Sequence, residues 1–324
     1  MDKPACSLCK RDSIIYIRYS GSNYCEMHFI DFIKKRVREN LRNQVLFKKG
    51  DRLAVDVSGG KDSMGMLKLL KEVVPPIPDL KLIAITIDEG IAGYRDITVP
   101  KVKKFAEMLN IEHRVISFSD IYGITMDDTV IKKKDYTPCT YCGVWRRKAM
   151  NIISREFDAD YLAVGMNLDD ISQSILMNFT KADIARLSRL GPHNIRQENL
   201  IPRLLPLVTI PEKEMYMYAY ITGIEFHKSS CPYYSTAMRN IYREVVNKLE
   251  ERMPGTRHSI LQAHRTILPM LQERYPMESI NTCKICGEPS VKEICKSCEL
   301  YIELEQSSSV GSDDLPGKSN AKVD

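Results

Sequence analysis

An apolar run, a glycine turn and a helical pattern follow one another in LAVDVSGGKDSMGMLKLL, residues 53–70. The apolar run has the length of a buried strand, and apolar residues recur at helical spacing after the turn. The two glycines allow backbone conformations that other residues resist, and the first amides of the following helix lack intrahelical acceptors. This order predicts a phosphate-binding loop in which Lys61 reaches the phosphates. Asp62 and Ser63 are candidates for helix caps, for a Mg2+ contact, or for both.

Strand-like and helix-like segments alternate between residues 52 and about 223. After the first strand, strands are predicted at 81–87, 113–118 and 161–164, and helices at 100–110, 144–157 and 169–181. Such alternation predicts a parallel sheet with helices on both faces and with ligands at the carboxyl ends of the strands. The glycine turn follows the first strand and GMNLDD follows the fourth, so both segments are expected at one crevice.

The segment GMNLDD, residues 165–170, supports two interpretations. Gly165 permits close backbone approach, and the adjacent carboxylates of Asp169 and Asp170 can hold Mg2+ or accept a proton from a substrate base. An Asn-x-Asp-Asp sequence is also an ordinary helix start. The predicted position beside the glycine turn favours the functional interpretation.

Length and composition indicate a cytosolic globular protein. The chain has 324 residues, of which 44% are hydrophobic, enough for a packed core. No apolar run approaches the roughly 20 residues of a membrane helix, and the first residues lack the apolar core of a signal peptide. Lys and Arg exceed Asp and Glu by only 47 to 42. Basic runs at 34–38, 132–134 and 146–148 are each typical of a solvated helix face or of an RNA contact.

The cysteines indicate metal sites, because disulfides are rare in cytosolic proteins and most of the ten cysteines occur in close pairs. Two sets have the spacing of structural zinc sites: Cys6, Cys9, Cys25 and His28, and Cys283, Cys286, Cys295 and Cys298. Either set completes a closed tetrahedral site, which leaves no open position for chemistry. We therefore expect two structural Zn2+ ions.

Three cysteines remain outside these sets: Cys139, Cys142 and Cys231. Three thiolates can hold a [4Fe-4S] cluster with one iron left free for a ligand such as hydrosulfide. The same three thiols can instead perform persulfide and disulfide chemistry without iron, or bind zinc. The residues alone do not decide among these alternatives.

The motif SGGKDS, residues 58–63, resembles the signature of the PP-loop ATP pyrophosphatases. Members of that superfamily cleave ATP between the α and β phosphates, keep pyrophosphate in this loop and pass AMP to an oxygen of the substrate. Along nearly the whole chain, the order of motifs is similar to that of the two-zinc-finger tRNA 2-thiouridine synthetases. The shared motifs are the N-terminal zinc knuckle, SGGKDS, PCTYCGVWRR, GMNLDD, the Cys231-Pro232 segment and the C-terminal four-cysteine module. That family includes wobble-uridine enzymes of archaea and eukaryotes and T-loop-uridine enzymes of thermophiles.

The resemblance implies an α/β fold with a parallel five-stranded sheet, helices on both faces and a zinc module at each end. It implies a [4Fe-4S] cluster on the three remaining cysteines and ATP with Mg2+ in the crevice. The implied catalytic residues are Lys61, Cys139, Cys142, Arg146, Asp170 and Cys231. The implied nucleotide contacts are Asp56, Val57, Ser58, Gly59, Gly60, Lys61, Asp62, Ser63, Ile85, Arg146, Gly165 and Asp170. Met166 stands where many relatives have His, which argues against a role for that side chain.

The resemblance also implies an activity, in which ATP adenylates the 2-oxo oxygen of a tRNA uridine and sulfur then replaces that oxygen. A wobble uridine is favoured, and the sulfur comes from sulfide or from a ubiquitin-like thiocarboxylated carrier. A homodimer is usual in similar proteins. The alternatives are T-loop uridine thiolation, an iron-free persulfide route, and a zinc-knuckle RNA-binding protein that binds nucleotide as a regulatory ligand.

The predicted division of the chain follows from these motifs and from composition. It comprises an N-terminal zinc module at 1–30, a basic linker helix at 31–50, the PP-loop domain at 51–225, a helical extension with Cys231 at 226–278, a C-terminal zinc module at 279–304 and a disordered tail at 305–324. The tail is polar and has little to bury. Arginines 239, 243, 252, 257 and 265 of the extension are typical of solvated charges and are also candidate RNA contacts.

Overall fold

The structure is a computed structural model that describes residues 4–74, 77–132, 136–192, 197–236, 238–276 and 278–309. Two lysines of the basic run at 132–134, and residues 310–324 of the predicted disordered tail, lie outside the described residues. Among the described helices, none has the length and apolar character needed to cross a membrane.

Short hairpins at the two ends flank a central set of strands. The strands are β1 (Ile15–Ile17), β2 (Ser22–Tyr24), β3 (Arg52–Asp56), β4 (Lys81–Asp88), β5 (Glu112–Ser117), β6 (Tyr161–Ala163), β7 (Arg203–Leu204), β8 (Asn281–Thr282) and β9 (Pro289–Ser290). The α-helices are α1 (Glu26–Arg42), α2 (Lys61–Val73), α3 (Arg95–Met108), α4 (Phe118–Tyr122), α5 (Met126–Lys132), α6 (Pro138–Glu156), α7 (Leu168–Thr180), α8 (Ile184–Ser188), α9 (Glu212–Ile221), α10 (Arg239–Arg252), α11 (Thr256–Arg274) and α12 (Lys296–Ser309). A 3-10 turn spans Tyr234–Thr236.

The central sheet has the strand order β5-β4-β3-β6-β7, and all of its neighbouring strands are parallel. This confirms the predicted five-stranded parallel sheet. In the middle strand, Val55 lies opposite Ala84 of β4 and Ala163 of β6. The chain order of the strands reverses between β3 and β6, and parallel sheets bind ligands in the crevice at such a reversal. The two-residue strand β7 is too short to give a pattern of its own in the sequence.

Apolar cores cover both faces of the sheet. Along β3, Leu53 and Val55 face the first core, which α1, α2, α3 and α9 complete, and Ala54 faces the second core. This alternation follows from the period of two in a strand. The second core includes α4, α6 and α12, so the sheet is buried on both sides, as the continuous apolar strands predict.

Helix α6 begins earlier than its periodicity predicts, at Pro138 instead of residue 144. Proline suits the first position of a helix, because its missing amide would have no acceptor there. Cys139 and Cys142 consequently lie in the first turns of α6 and not in a preceding loop.

The C-terminal module packs against α6. The Trp145 ring stacks on Tyr122 with 4.3 Å between centroids, and its indole nitrogen donates to the Ser297 carbonyl at 3.3 Å. Leu300 and Leu304 of α12 are buried in the same core. Because α12 continues to Ser309, it overlaps the first residues of the tail that was predicted to be disordered from 305.

The N-terminal module is tied to the PP-loop domain through α1. Arg36 pairs with Glu214 of α9 at 2.6 Å, and both side chains are largely buried. The Tyr19 hydroxyl donates to the same carboxylate at 2.7 Å. Arg36, in the middle of the basic run at 34–38, therefore serves packing. The helix ends at Arg42, before the end of the basic linker helix predicted at 31–50.

Leu300→Ala tests the attachment of α12 to α6. Leu300 is fully buried, so the change should lower the free energy of unfolding by about 2 to 5 kcal/mol. The chain's single tryptophan lies in this core, so its emission during urea unfolding reports the effect directly. Ile285→Ala is the matched control, because Ile285 is 55% exposed in the same module and should cost less than about 1 kcal/mol. Equal urea midpoints for the two variants would contradict the packing of Leu300 against α6.

Candidate active site

The turn between β3 and α2 is shaped by a glycine and a serine. Gly59 has φ +87°, and a Cβ there would lie 2.9 Å from the Thr98 Cβ, so only glycine fits. The Ser63 hydroxyl accepts from the Ser58 amide at 3.0 Å and donates to the Gly60 carbonyl at 3.1 Å. Ser63 thus closes the turn from inside. The first amides of α2 have no intrahelical acceptor and remain available to an anion at this end of the helix.

A cavity of about 500 Å³ opens at the carboxyl ends of β3 and β6. Its lining comes from the glycine turn, from α6, from the segment after β6, from the loop after α8, from β7 and from α10. The residues are Asp56, Ser58, Gly60, Asp62, Ser63, Gly143, Arg146, Arg147, Met150, Val164, Gly165, Met166, Asp170, Arg189, Leu190, Gly191, Arg203, Leu205 and Arg239. A Cβ at Gly165 would lie 3.4 Å from the Ser63 Cα, so glycine permits the close approach of the two loops.

Lys61 and Asp62 form a charged group beside this cavity. The Lys61 ammonium donates to Asp62 at 3.0 Å and to Glu212 at 2.6 Å. Burial raises the pKa of the Asp62 carboxyl to about 6, although the Lys61 charge opposes the rise. Asp62 Oδ1 is buried, and no donor to it occurs in the described part of the chain. A buried carboxylate oxygen without a donor is a suitable ligand for a hard cation such as Mg2+.

The adjacent carboxylates of Asp169 and Asp170 have different surroundings. Asp169 pairs with Arg257 at 2.6 Å and accepts the Glu212 amide at 2.8 Å, so it joins α7 to α11 and α9. Asp170 lines the cavity, where Arg239 lies at 3.5 Å. Burial raises the pKa of the Asp170 carboxyl, and the Arg239 charge opposes this. Of these two carboxylates, Asp170 therefore lines the cavity and Asp169 is held in an ion pair, and Arg257 is an internal ion-pair partner instead of a solvated charge.

Beneath the cavity, a buried network joins α3, α6 and the end of β4. Glu89 is 2% exposed, and its carboxylate accepts from Arg95 and lies 3.1 Å from the Arg146 guanidinium. Arg146 also pairs with Asp56 at 3.3 Å, and Arg95 donates to the Ser58 carbonyl at 2.8 Å. Despite its burial, Glu89 has a lowered pKa because the charges of Arg146 and Arg95 stabilise its carboxylate. The network connects the glycine turn to the helix that carries the cysteine pair.

The three remaining cysteines converge beside this network. Cys142 and Cys231 are half-buried against the second core, and Cys139 lies 3.9 Å from the Tyr233 carbonyl in the segment of Cys231. Burial raises the pKa of the Cys142 thiol to about 12, and the negative charges of Glu89 and Cys231 act in the same direction. Burial also raises the pKa of Cys231, where the charge of Cys139 contributes. Three convergent thiols are a donor set that fits an iron-sulfur cluster with one iron free of protein ligands.

Each predicted zinc set is assembled in the structure. Within Cys6, Cys9, Cys25 and His28, and within Cys283, Cys286, Cys295 and Cys298, the ligand atoms all lie within 4.8 Å of one another. Such spacing and this donor chemistry fit a four-coordinate Zn2+.

Two of the predicted nucleotide contacts are core residues. The side chains of Val57 and Ile85 are fully buried, and the Val57 amide donates to the Ile85 carbonyl at 2.8 Å. The Thr86 hydroxyl donates a hydrogen bond to the Val57 carbonyl at 2.7 Å. Any contact of these two residues with a nucleotide would therefore not involve their side chains.

Sequence reasoning missed several charged residues of the site. Glu89 directly follows a strand end, a position that could have marked it as a candidate. No recognisable motif marks the other three residues. The fold alone brings Arg189 and Arg203 to the cavity and Glu212 to Lys61.

Comparisons with known proteins agree with this geometry. A family model of the PP-loop domain matches residues 31–250, and a model of the N-terminal LIM domain of the 2-thiouridine synthetase TtuA matches residues 6–30. The first match covers more than half of the chain. The chain is therefore a PP-loop protein.

Individual relatives define the family more closely. The tRNA 2-thiolation protein NcsA of Haloferax volcanii is 34% identical over 317 residues, which are 93% of this chain and 99% of that protein. A probable sulfurtransferase of Methanocaldococcus jannaschii is 36% identical over 305 residues, which are 92% of this chain and 87% of that protein. The structure of the U34-tRNA thiolase NcsA from Methanococcus maripaludis, with its [4Fe-4S] cluster, aligns with a TM-score of 0.82 and 36% identity, covering 94% of this chain and 97% of that one. The chain belongs to the tRNA 2-thiouridine synthetases of the PP-loop superfamily, which are sulfurtransferases.

Glu89→Gln tests the buried network. The change removes the charge that compensates Arg95 and Arg146 and should lower the free energy of unfolding by about 3 kcal/mol, measured in urea with the full chain. Glu112→Gln is the control, because it removes the same charge from a half-exposed pair with Arg114 and should cost about 0 to 1 kcal/mol. If both variants lowered the free energy of unfolding by the same small amount, the Glu89 charge would not be needed to stabilise the two arginines.

Proposed function

We propose that this chain adenylates the 2-oxo oxygen of a tRNA uridine with ATP and replaces that oxygen with sulfur, with the wobble uridine as the favoured target. The observation that carries the proposal is that the glycine turn and Arg146 line one cavity, while the same helix as Arg146 carries Cys139 and Cys142, with the segment of Cys231 beside them. This arrangement provides a phosphate site and a sulfur-handling site within reach of one substrate base.

In the first step, the uridine oxygen attacks the α phosphorus of ATP and pyrophosphate leaves. The amides at the start of α2 and the Lys61 ammonium bind the pyrophosphate, and their positive charge stabilises the negative charge that develops on it. Mg2+ bound by Asp62 would add to that stabilisation. Gly165 leaves room for the nucleotide against the turn. The nucleotide contacts predicted above, among them Asp56, are part of this proposal.

Arg146 and Asp170 act on the base. Arg146 is fixed by two carboxylates at 3.1 and 3.3 Å and orients the activated oxygen or the AMP phosphate. Asp170 accepts a proton from the base, and its raised pKa suits that task. In the second step, sulfur bonds to carbon 2, and AMP departs with the original oxygen.

Cys139, Cys142 and Cys231 would hold a [4Fe-4S] cluster, which supplies an iron without a protein ligand where sulfur can be held. Cys142 and Cys231 are half-buried, whereas Cys139 is exposed. The sulfur itself comes from sulfide or from a ubiquitin-like thiocarboxylated carrier.

Two Zn2+ ions occupy the terminal modules, which hold the ends of the chain against the PP-loop domain and contact tRNA. The working unit is a homodimer in the cytosol. The chain divides into its modules after residues 30, 50, 225, 278 and 304.

Replacement of Cys231 tests the sulfur step. In cells that lack the native protein, the wild-type chain should restore 2-thiouridine at the wobble position, and Cys231→Ala should leave it at the level of cells without the protein, as mass spectrometry of tRNA measures. Ser230→Ala, in the same segment, should restore it fully. Restoration by Cys231→Ala would support the zinc-knuckle RNA-binding alternative and exclude the proposal.

Iron analysis separates the two sulfur routes. Wild-type protein purified without oxygen should contain iron and acid-labile sulfide, and Cys231→Ala should lose most of both. A colourless, iron-free protein with full activity would favour the persulfide route. If 2-thiouridine were found only in the T-loop of tRNA, the substrate would be the T-loop uridine and not the wobble uridine.

A further inference from the structure

Three arginines line the mouth of the cavity. Arg147 belongs to α6, Arg189 follows α8, and Arg203 belongs to the edge strand β7, and all three line the opening. We name them the arginine rim. Arg147 and Arg189 are exposed and Arg203 is half-buried, so the rim extends from the solvent into the cavity.

In the described part of the chain, no carboxylate pairs directly with the rim, although the charge of Asp56 attracts Arg203. Across the described ranges, no ion pair joins any of the three guanidiniums to a carboxylate, whereas the neighbouring Arg146 and Arg239 both have acidic partners. Two of the rim side chains contact backbone oxygens: Arg203 donates to the Arg147 carbonyl at 3.4 Å, and Arg189 donates to the Ala185 carbonyl at 3.0 Å. Burial lowers the pKa of Arg203 to about 10, and the Arg147 charge contributes. An anion at the rim would relieve this repulsion.

The geometry favours RNA over ATP as the source of that anion. The glycine turn and Lys61 already provide a phosphate site at the end of β3, whereas Arg203 lies on β7, with β6 between the two strands. A polymer with one phosphate per nucleotide passes over the mouth of a cavity when one of its bases enters it. Arginine forks bind phosphate oxygens in pairs, which fixes the position of the backbone.

We propose that the arginine rim is a subsite for a backbone phosphate of the substrate tRNA, which holds the chain at the mouth while the target base enters the cavity. This inference rests on the proposed function. It assigns these arginines a role in positioning RNA and none in binding ATP.

Salt-dependent binding tests the subsite in the full, metal-loaded protein. The probe is tRNA from cells that lack the protein, and its affinity is measured between about 50 and 200 mM salt, where phosphate contacts dominate the change. Arg203→Gln should weaken tRNA binding roughly tenfold and make the slope of log Kd against log salt shallower by about one. Arg147→Gln should act similarly, and the double variant should lose more. ATP affinity should stay unchanged, which also shows that the variants are folded.

Two further variants control for charge and fold. Arg203→Lys retains the positive charge and should keep most of the salt slope while it loses part of the affinity. Arg114→Gln removes an arginine from β5, the opposite edge of the same sheet, and should leave tRNA binding as in the wild type.

The contrary outcomes are distinct. Unchanged tRNA binding with weakened ATP binding would assign the rim to the nucleotide, and unchanged binding of both would remove the subsite. An equal loss in Arg114→Gln would reduce the effect to overall charge and overturn the inference. Wild-type protein that binds no tRNA would overturn the proposed function and the subsite together, whereas tRNA binding indifferent to Arg203 overturns the subsite alone.

Discussion

The burial of Glu89 between two guanidiniums is the interaction on which the rest of the site depends. Removing an ion from water costs several kcal/mol, and only close opposite charges can compensate for it. The compensating arginines come from α3 and α6, and Arg95 also holds the Ser58 carbonyl. The glycine turn, the end of β4 and the cysteine-bearing helix must therefore assemble together. A displacement of any one of them leaves a buried charge without its partner.

Helix α6 transmits this constraint to the cysteine pair. Cys142 and Arg146 are four residues apart, so both lie on the same face of the helix, toward the network and the cavity. Trp145 lies on the adjoining side of the helix, where its indole nitrogen donates to the Ser297 carbonyl and Leu300 shares its core. The module thus fixes the rotation of α6 about its axis. The C-terminal four-cysteine module in this way helps to hold Cys142 and Arg146 in place, although the Trp145–Ser297 contact spans 152 positions in sequence.

Much of the fold and part of the site could be predicted because their signals are local. The parallel sheet, the glycine turn, the cysteine sets and Gly165 all follow from short motifs or from periodicity. The start of α6 was placed too late, because PCTYCG has little helical periodicity, and only the proline position indicates the true start. Asp169 and Asp170 are indistinguishable in sequence, since the ion pair of Asp169 depends on Arg257 of a distant helix.

The residues that were missed share one property, which is that their partners are remote in the chain. Glu212 meets Lys61 across 151 positions, and Arg203 reaches the cavity only because β7 pairs with β6. No local pattern marks such a residue, because its environment is created by the packing of the sheet and its helices. Charged residues at the ends of very short strands are therefore the positions where sequence reasoning is weakest.

The charges at the glycine turn also explain why phosphate and a cation should bind together. Without ligands, the Lys61 ammonium is shared by Asp62 and Glu212, so its attraction for phosphate is partly offset by two carboxylates. A phosphate that arrives alone would compete with both and would repel Asp62. A divalent cation held by Asp62, as proposed, would reverse that repulsion and release Lys61 toward the phosphate. In that case the pair of carboxylates would favour a phosphate that is already accompanied by a metal ion.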